Sequence, residues 1–150
     1  PASWRSSISQ GGSPGGEDVN SFASWAAGFG LPSDDPNLDN DNDKIGLFRE
    51  YAQGGRPDAA LPGEGLIDLK IEEFVIDQSP SPYVILSVAR NLAADDVEFR
   101  IEQNSGSLTG PWHNVTQQFV LHSHQPLPDG NALLQYRIPL PATPEQYWRL

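Results

Sequence analysis

The feature that most constrains this chain is a short run of alternating aspartates. Asp39, Asp41 and Asp43 are separated by single asparagines, and Glu50 follows the last of them by seven positions. Carboxylates this close along a chain repel one another, so a compact loop here requires a cation to neutralise them. The alternation therefore predicts a curled loop that closes around a hard positive ion.

The spacing is that of an EF-hand calcium loop, whose acidic ligands occupy positions 1, 3, 5 and 12. The predicted ligands are Asp39, Asp41, Asp43, the Ile45 carbonyl at position 7 and both carboxylate oxygens of Glu50. Water completes the shell of six to eight oxygens that calcium prefers. Calcium is accordingly the one cofactor that the sequence predicts.

Two loop positions depart from the usual pattern. Position 6, normally glycine, is Lys44, so we expect a positive φ there at a cost of about 1 kcal/mol. Position 9, often a polar ligand, is Leu47, and these departures predict a dissociation constant on the order of 10⁻⁴ to 10⁻³ M. The alternative is a solvated acidic turn in a linker. Upstream, Asp34, Asp35 and Asn37 are candidates for further ligands or a second ion.

Helical patterns flank the acidic run. Apolar residues recur at helical spacing within residues 18–29, with Asp18 or Asn20 as the expected N-cap. A second amphipathic helix follows the loop and is predicted to end at Gly54. Because the aromatic stripe of the first helix should pack on the second, residues 18–54 are predicted to form one helix–calcium loop–helix unit.

From residue 66 the apolar residues recur with the period of two that is typical of strands. The alternation slips at Glu72-Glu73, which predicts a bulge there. The predicted strands are 67–76, 83–90, 97–102, 119–124, 133–140 and 147–150. Short strands separated by turn residues predict a mainly β domain over residues 66–150, an antiparallel β-sandwich of the immunoglobulin or fibronectin-III kind.

The remaining segments are predicted to be connections. Residues 1–17 are rich in Gly, Ser and Pro and are expected to form an arm or linker, and residues 55–65 to form a second linker. Trp4 and Ile8 are the only large apolar residues of the arm, so they are candidates for docking on the domain or on a neighbouring subunit. The alternative is an arm with no specific contact. Because the chain begins with Pro1, we expect a processed or excised piece.

Composition excludes or disfavours several classes of function. The chain has 150 residues, no cysteine and a formal charge of −11. The lack of cysteine excludes disulfides, thiolate metal sites and a cysteine nucleophile. The charge disfavours nucleic-acid partners and anionic membrane surfaces, and no segment has the apolar length for membrane insertion. No nucleophile elbow is present and the acids cluster in a loop, so we expect no enzyme activity.

Two weaker motifs lie within the predicted strands. His122 and His124 fall on one strand face, a spacing that can hold zinc or copper if His113 supplies a third ligand, although exposed strand histidines are the commoner outcome. Asn114-Val115-Thr116 is a glycosylation sequon, which matters only if the source glycosylates such sites.

The order of these motifs resembles the C-terminal module of exported and surface bacterial proteins. The resembling segments are Phe22–Gly28, Asp39–Glu50 with Tyr51-Ala52 and Gly54-Gly55, Val97–Glu102, Ser107–Trp112 and Tyr147–Leu150. The acidic loop is also similar to the calcium loops of dockerins and thrombospondin type 3 repeats. The resemblance covers roughly residues 20–150 and implies a non-catalytic terminal module without a defined ligand.

These observations favour a calcium-stabilised structural or adhesive module, extracellular or at the cell surface. Its expected partners are copies of itself or a parent surface protein, joined into a fibre or tube through the N-terminal arm. The alternative is a carbohydrate-binding module of a secreted polysaccharide-degrading enzyme. An aromatic strip of Trp112, Trp148, Tyr83 and Tyr136 would then bind sugar, although the two tryptophans are also suited to plug the sandwich.

Overall fold

The computed structural model describes residues 21–33, 35–60, 65, 67–76, 78–105, 108–140 and 146–149. These residues form a mainly antiparallel β structure with two sheets and two short helices, so the predicted fold class is confirmed at this level. The elements are α1 (Phe22–Gly28), α2 (Leu47–Gln53), β1 (Ile67–Ile76), β2 (Ser79–Asn91), β3 (Glu102–Ser105), β4 (His113–Asn114), β5 (Val120–Pro126), β6 (Asn131–Pro139) and β7 (Gln146–Arg149). No helix in these ranges has the length and apolarity to cross a membrane.

The ends of the two helices are set by local side-chain and backbone chemistry. Ser21 is the N-cap of α1, and its hydroxyl accepts a hydrogen bond from the Ser24 amide at 3.2 Å. The expectation of Asp18 or Asn20 as the cap was wrong, because the helix begins at Phe22 and only the residue just before it can bond the first-turn amides. Gly54 ends α2 in the left-handed conformation with φ 80°, as predicted.

The aromatic stripe of α1 packs on α2, which confirms the prediction. The Phe22 ring lies 5.3 Å from the Phe48 ring and 5.8 Å from the Tyr51 ring, measured between centroids. The Trp25 ring lies 5.6 Å from the Tyr51 ring. Tyr51 and Leu47 of α2 are completely buried. Because aromatic side chains bury the most apolar area, this contact supplies the main packing between the helices.

The strands form a four-stranded sheet in the order β1-β2-β6-β5 and a three-stranded sheet in the order β4-β3-β7. One core cluster contains Val84, Leu86, Ile101, Val115, Phe119 and Ile138, with Ile67, Tyr136 and Trp148 packed partly buried against it. Because β1, β2 and β6 belong to the larger sheet and β7 to the smaller, both sheets contribute side chains to this core.

Strand β1 runs without the predicted bulge. Its pairing with β2 is uninterrupted from Ile67 opposite Val88 to Ile76 opposite Ser79. The slip in the apolar pattern instead marks a change of face, because Phe74 lies on the side of the strand opposite Ile67. There the Phe74 ring packs edge-on against the Tyr83 ring at 5.4 Å. The pattern therefore reported two apolar faces of one regular strand.

Residues 97–101 also differ from the prediction, because strand β3 begins only at Glu102. Val97 and Ile101 are buried, as their alternation implied. However, the Ile101 amide donates to the Thr116 hydroxyl at 2.8 Å, and its carbonyl accepts from the Val115 amide at 2.8 Å. Alternation of apolar residues predicts which side chains are buried, but a strand also needs a neighbouring strand for its backbone groups. Here the Ile101 amide bonds the Thr116 side chain instead, so the segment is not a strand.

The chain divides into two compact units. The first contains the described residues up to 65 together with residues 89–97 and 125–133, and the second contains the described residues of 67–88, of 98–124 and from 134 onward. The acidic loop, both helices and the segments after β2 and around the start of β6 therefore belong to the same unit.

Candidate metal centre

The structure brings the three alternating aspartates together. One carboxylate oxygen from each of Asp39, Asp41 and Asp43 lies within 4.8 Å of the others, and all three side chains are partly buried. Among the described residues, this is the only group of three or more histidines, aspartates or glutamates close enough to share an ion. The group could therefore hold a metal ion.

The backbone amides of the loop turn toward these carboxylates. The Asp43 amide donates to Asp39 Oδ1 at 3.1 Å and to Asp41 Oδ1 at 3.2 Å. The Lys44 amide donates to Asp39 Oδ2 at 3.0 Å. The Ile45 amide donates to Asp43 Oδ1 at 2.7 Å. These bonds fix the curl of the loop and leave each carboxylate oxygen a lone pair for an ion.

Two residues of the loop adopt left-handed backbone conformations. Lys44 has φ 75°, as its place at position 6 of the loop predicted, and Asn42 has φ 65°. A residue with a Cβ is strained in this region by roughly 1 kcal/mol or more, less for asparagine. The loop therefore keeps its carboxylates together at a conformational cost, which an ion bound between them would offset.

One carboxylate oxygen at the centre has no neighbour to satisfy it. Asp41 Oδ2 is buried and finds no hydrogen-bond partner within the ranges that the structure describes. A buried charged oxygen without a partner is costly, whereas coordination to a cation compensates that cost. This oxygen and the all-carboxylate donor set fit a hard cation, which takes oxygen ligands.

Glu50 lies in the first turn of α2 and is completely buried, with 0 % of its surface exposed. It does not belong to the group of carboxylates that lie within 4.8 Å of one another. Of the predicted ligand residues, the structure therefore brings the three aspartates together and leaves Glu50 outside their group. Glutamate side chains are almost never fully buried in proteins unless they have a partner, so the burial of Glu50 agrees with a specific role at this position.

The end of the loop is anchored by backbone contacts that the sequence did not predict. The Leu47 amide donates to the Leu38 carbonyl, and the Phe48 amide to the Pro36 carbonyl, both at 3.0 Å. Gly46 directly precedes these two residues, and a Cβ on it would stand 3.0 Å from the Pro36 oxygen. A larger residue would push the two segments apart, so glycine permits this close approach.

Asp96 links the two helices and was missed by the sequence analysis. Its Oδ1 accepts a hydrogen bond from the Tyr51 hydroxyl at 2.6 Å, and its Oδ2 accepts from the Phe22 amide at 2.9 Å. Two asparagines bind the same helix, because Asn91 Nδ2 donates to the Tyr51 carbonyl at 3.1 Å and Asn131 Nδ2 to the Gly54 carbonyl at 3.2 Å. Helix α2 is thus held by side chains from distant parts of the sequence.

The pKa values of this pair move in opposite directions. Burial raises the pKa of Tyr51 above its ordinary 10, and the hydrogen bond to the Asp96 carboxylate raises it further. For Asp96, burial acts to raise the pKa, but the bonds from Tyr51 and the Phe22 amide outweigh it and hold the pKa below the ordinary 3.8. The folded state therefore favours neutral tyrosine beside ionised aspartate.

The pair predicts a loss of stability at both extremes of pH. The contribution of Asp96 is full above its ordinary pKa of 3.8 and is lost as the pH falls below it. The contribution of Tyr51 is full below pH 10 and is lost as the pH rises beyond it. Urea denaturation in chelator from pH 2 to 12 should show Tyr51→Phe losing less stability than the wild type above about pH 10. Equal alkaline losses in both proteins would contradict the assignment.

The contacts of the histidines and of the sequon are structural. His122 packs edge-on against the Phe74 ring at 4.9 Å, and among the residues that the structure describes neither it nor His113 or His124 belongs to a group that could share a metal ion. In the sequon, the Thr116 amide donates to Asn114 Oδ1 at 3.0 Å.

The four aromatic residues of the predicted sugar-binding strip have separate packing roles. Trp148 and Tyr136 pack against the core cluster, which agrees with the interpretation of Trp148 as a plug. The Arg149 guanidinium covers the Trp112 ring at 4.4 Å, and Tyr83 packs on Phe74. The carbohydrate-binding alternative stays a prediction.

Some predicted residues lie outside the described ranges. These are Trp4 and Ile8, the candidate partner-binding residues, and Asp34, a candidate for a second ion. Asp35 is described, and its Oδ1 accepts from the Asn37 amide at 3.2 Å, but neither residue joins the aspartate group.

Comparison with models of known protein families found no match, and neither did comparison with curated proteins or with solved structures. The resemblance to the C-terminal modules of surface proteins therefore stays a prediction.

Proposed function

We propose that this protein is a calcium-stabilised, non-catalytic structural module of an extracellular or cell-surface assembly. The observation that carries the proposal is the convergence of Asp39, Asp41 and Asp43, whose oxygens lie within 4.8 Å of one another. Calcium is favoured over zinc, which prefers nitrogen and sulfur ligands. It is favoured over magnesium because magnesium demands a near-ideal octahedron and usually keeps several waters, whereas calcium accepts an irregular shell of carboxylate oxygens.

The aspartates would hold the ion, and the Ile45 carbonyl and Glu50 would complete the shell as the sequence predicts. Bound calcium supplies positive charge that cancels the mutual repulsion of the carboxylates and satisfies the buried Asp41 Oδ2. Glu50 lies in the first turn of the helix that Asp96, Asn91 and Asn131 hold in place. Fixing the loop therefore stiffens helix α2 together with these contacts.

For the strands, we propose an immunoglobulin- or fibronectin-III-like sandwich. Support comes from the antiparallel pairing of β1 with β2 and of β3 with β4 and β7. It also comes from the core cluster, to which strands of both sheets contribute. Sandwiches of this kind commonly serve as structural units of surface proteins.

The non-catalytic and extracellular parts of the proposal rest on the surroundings of the charges. The acids of the loop are engaged by backbone amides, and the cleft of about 300 Å³ in the second unit is lined by Ile67, Leu69, Leu86, Ile101, Trp148 and Arg149, which are mostly apolar. A site of weak affinity fills only where calcium reaches millimolar levels, as outside cells. The net charge of −11 suits divalent cations.

Isothermal titration with calcium tests the proposal. We expect one site with a dissociation constant on the order of 10⁻⁴ to 10⁻³ M in the wild type, and loss of the binding heat in Asp39→Asn. Asp58→Asn removes the same charge at an exposed position outside the loop and should titrate like the wild type. A wild type that gives only heat of dilution, or an Asp39→Asn variant that still binds, would overturn the assignment.

A further inference from the structure

Strand β1 is an edge strand of the larger sheet in the part of the chain that the structure describes. It spans ten residues and pairs with β2 along one side. Its other side presents backbone donors and acceptors to which a further strand can add. Natural edge strands are usually short, twisted or protected. A long, regular edge strand such as this one is therefore a candidate for pairing with another chain.

The same strand exposes a row of large aliphatic side chains. Leu69, Ile71 and Val75 are 42 %, 64 % and 75 % exposed. Because they stand at odd positions of one strand, they lie on the same face of the sheet. The row begins beside the apolar cleft, which Ile67 and Leu69 also line. An exposed apolar row on a long edge strand is typical of a surface that associates with another strand.

We propose that a second copy of this chain pairs here, β1 against β1, antiparallel about a two-fold axis that passes at Ile71. In this register Ile71 faces its own counterpart, Ile67 faces Val75 and Leu69 faces Glu73, so the odd-numbered residues of both copies lie on one face. Lys70, which already forms an ion pair with Glu72 of its own strand at 2.6 Å, also faces Glu72 of the other copy, and the two-fold axis repeats this cross-strand pair. The strand is thus complementary to itself in charge at Lys70 and Glu72 and in apolar contact at Ile67, Ile71 and Val75.

Neighbouring registers lack this complementarity. If the two-fold axis passes at Lys70 instead, Lys70 faces its own counterpart and Asp68 faces Glu72. If it passes at Glu72, Glu72 faces its own counterpart. Like charges directly opposite each other destabilise an antiparallel pair. A register that opposes Asp68 to Lys70 is also charge-complementary but overlaps only within residues 67–71. Charge and length together therefore favour the axis at Ile71.

This inference rests on the proposed function as an assembling structural module and names its partner, but it does not depend on the ion. Assembly through the edge of the sheet joins two four-stranded sheets into one continuous sheet. A two-fold pair of this kind closes on itself, so longer assembly would require a second contact elsewhere on the molecule.

Charge exchange across the axis gives the test. Lys70→Glu places glutamate opposite Glu72, and Glu72→Lys places lysine opposite Lys70, so each variant alone should raise the dimer dissociation constant by about tenfold or more. An equimolar mixture of the two variants restores both pairs and should associate about as well as the wild type. Sedimentation velocity over a concentration series, in calcium and in chelator, measures all of these states.

Arg100→Glu and Glu98→Lys are matched controls. They disrupt the exposed ion pair between Arg100 and Glu98, just as the test variants disrupt the one between Lys70 and Glu72 of the same strand, with the same changes of net charge. Neither control should change the dimer dissociation constant, alone or mixed. The inference would be overturned if the wild type stays monomeric at every concentration, or if Lys70→Glu and Glu72→Lys leave the dimer dissociation constant unchanged. If the protein dimerises in chelator and shows no binding heat for calcium, the proposed calcium site is wrong but the pairing through β1 is still supported.

Discussion

Calcium at one hundred times its dissociation constant should raise the free energy of unfolding by about 2.7 kcal/mol. Asp41→Asn should abolish this increase and yet make the calcium-free protein more stable, by about 1 kcal/mol. The reason is that Asp41 Oδ1, which accepts from the Asp43 amide, has an equivalent in asparagine, whereas the buried Oδ2 loses its charge. Urea denaturation with calcium and with chelator measures both effects.

Asp41→Asn should therefore lower stability in calcium and raise it in chelator, and these opposite changes distinguish an ion ligand from a residue with only a structural role. Asp39→Asn should also abolish the calcium increase, but it should not stabilise the calcium-free protein as much. Both oxygens of Asp39 accept backbone amides, and asparagine replaces only one of these acceptors. Asp58→Asn, in an exposed ion pair, should keep the full calcium response. Equal losses with calcium and with chelator in Asp41→Asn would identify a structural turn and not an ion site.

Glu50 provides a further comparison within the same experiment. Glu50→Gln preserves the size of a completely buried side chain while removing its charge. If Glu50 supplies oxygens to the ion, as position 12 predicts, the variant should lose most of the 2.7 kcal/mol calcium increase. A full calcium response in Glu50→Gln would confine the site to the three aspartates.

The acidic loop could be predicted from the sequence because its geometry is set by near neighbours. The bonds that curl it join residues two to five positions apart, such as the Asp43 amide to Asp41 and the Lys44 amide to Asp39. Spacing along the chain therefore determines which carboxylates converge. The positive φ of Lys44 followed from the same local argument. Ligand spacing is a strong signal where the whole site lies within one loop.

The contacts that hold helix α2 could not be predicted in this way. Asp96, Asn91 and Asn131 bond it across 45, 40 and 77 residues of sequence. No periodicity marks these side chains, because each lies in a turn or at a strand end and acts through a single polar atom. Strand pairing had the same limit, since alternation predicted the burial of Val97 and Ile101 but not the partners of their backbone groups.

Tyr51→Ala should lower the free energy of unfolding by about 3–5 kcal/mol, the largest single effect expected in this molecule. Tyr51 has 0 % of its surface exposed, and its ring contacts Phe22, Trp25 and Phe48. Truncation leaves a cavity among these rings and also removes the bond to Asp96. Because a domain of this kind is stable by only about 5–15 kcal/mol, the loss should be visible directly as a lower denaturation midpoint.

Tyr51→Phe divides this loss between packing and hydrogen bonding. The phenyl ring keeps the aromatic contacts, so the variant should lose only about 1–2 kcal/mol, the contribution of the bond to the Asp96 carboxylate. Adding Asp96→Asn to Tyr51→Phe should then cost less than the sum of the two single changes, because both remove the same bond. If Tyr51→Phe costs as much as Tyr51→Ala, the Asp96 bond and not the aromatic cluster holds the helices together. If the two changes add fully, the bond contributes no coupling, and packing alone explains why this buried tyrosine stabilises the fold.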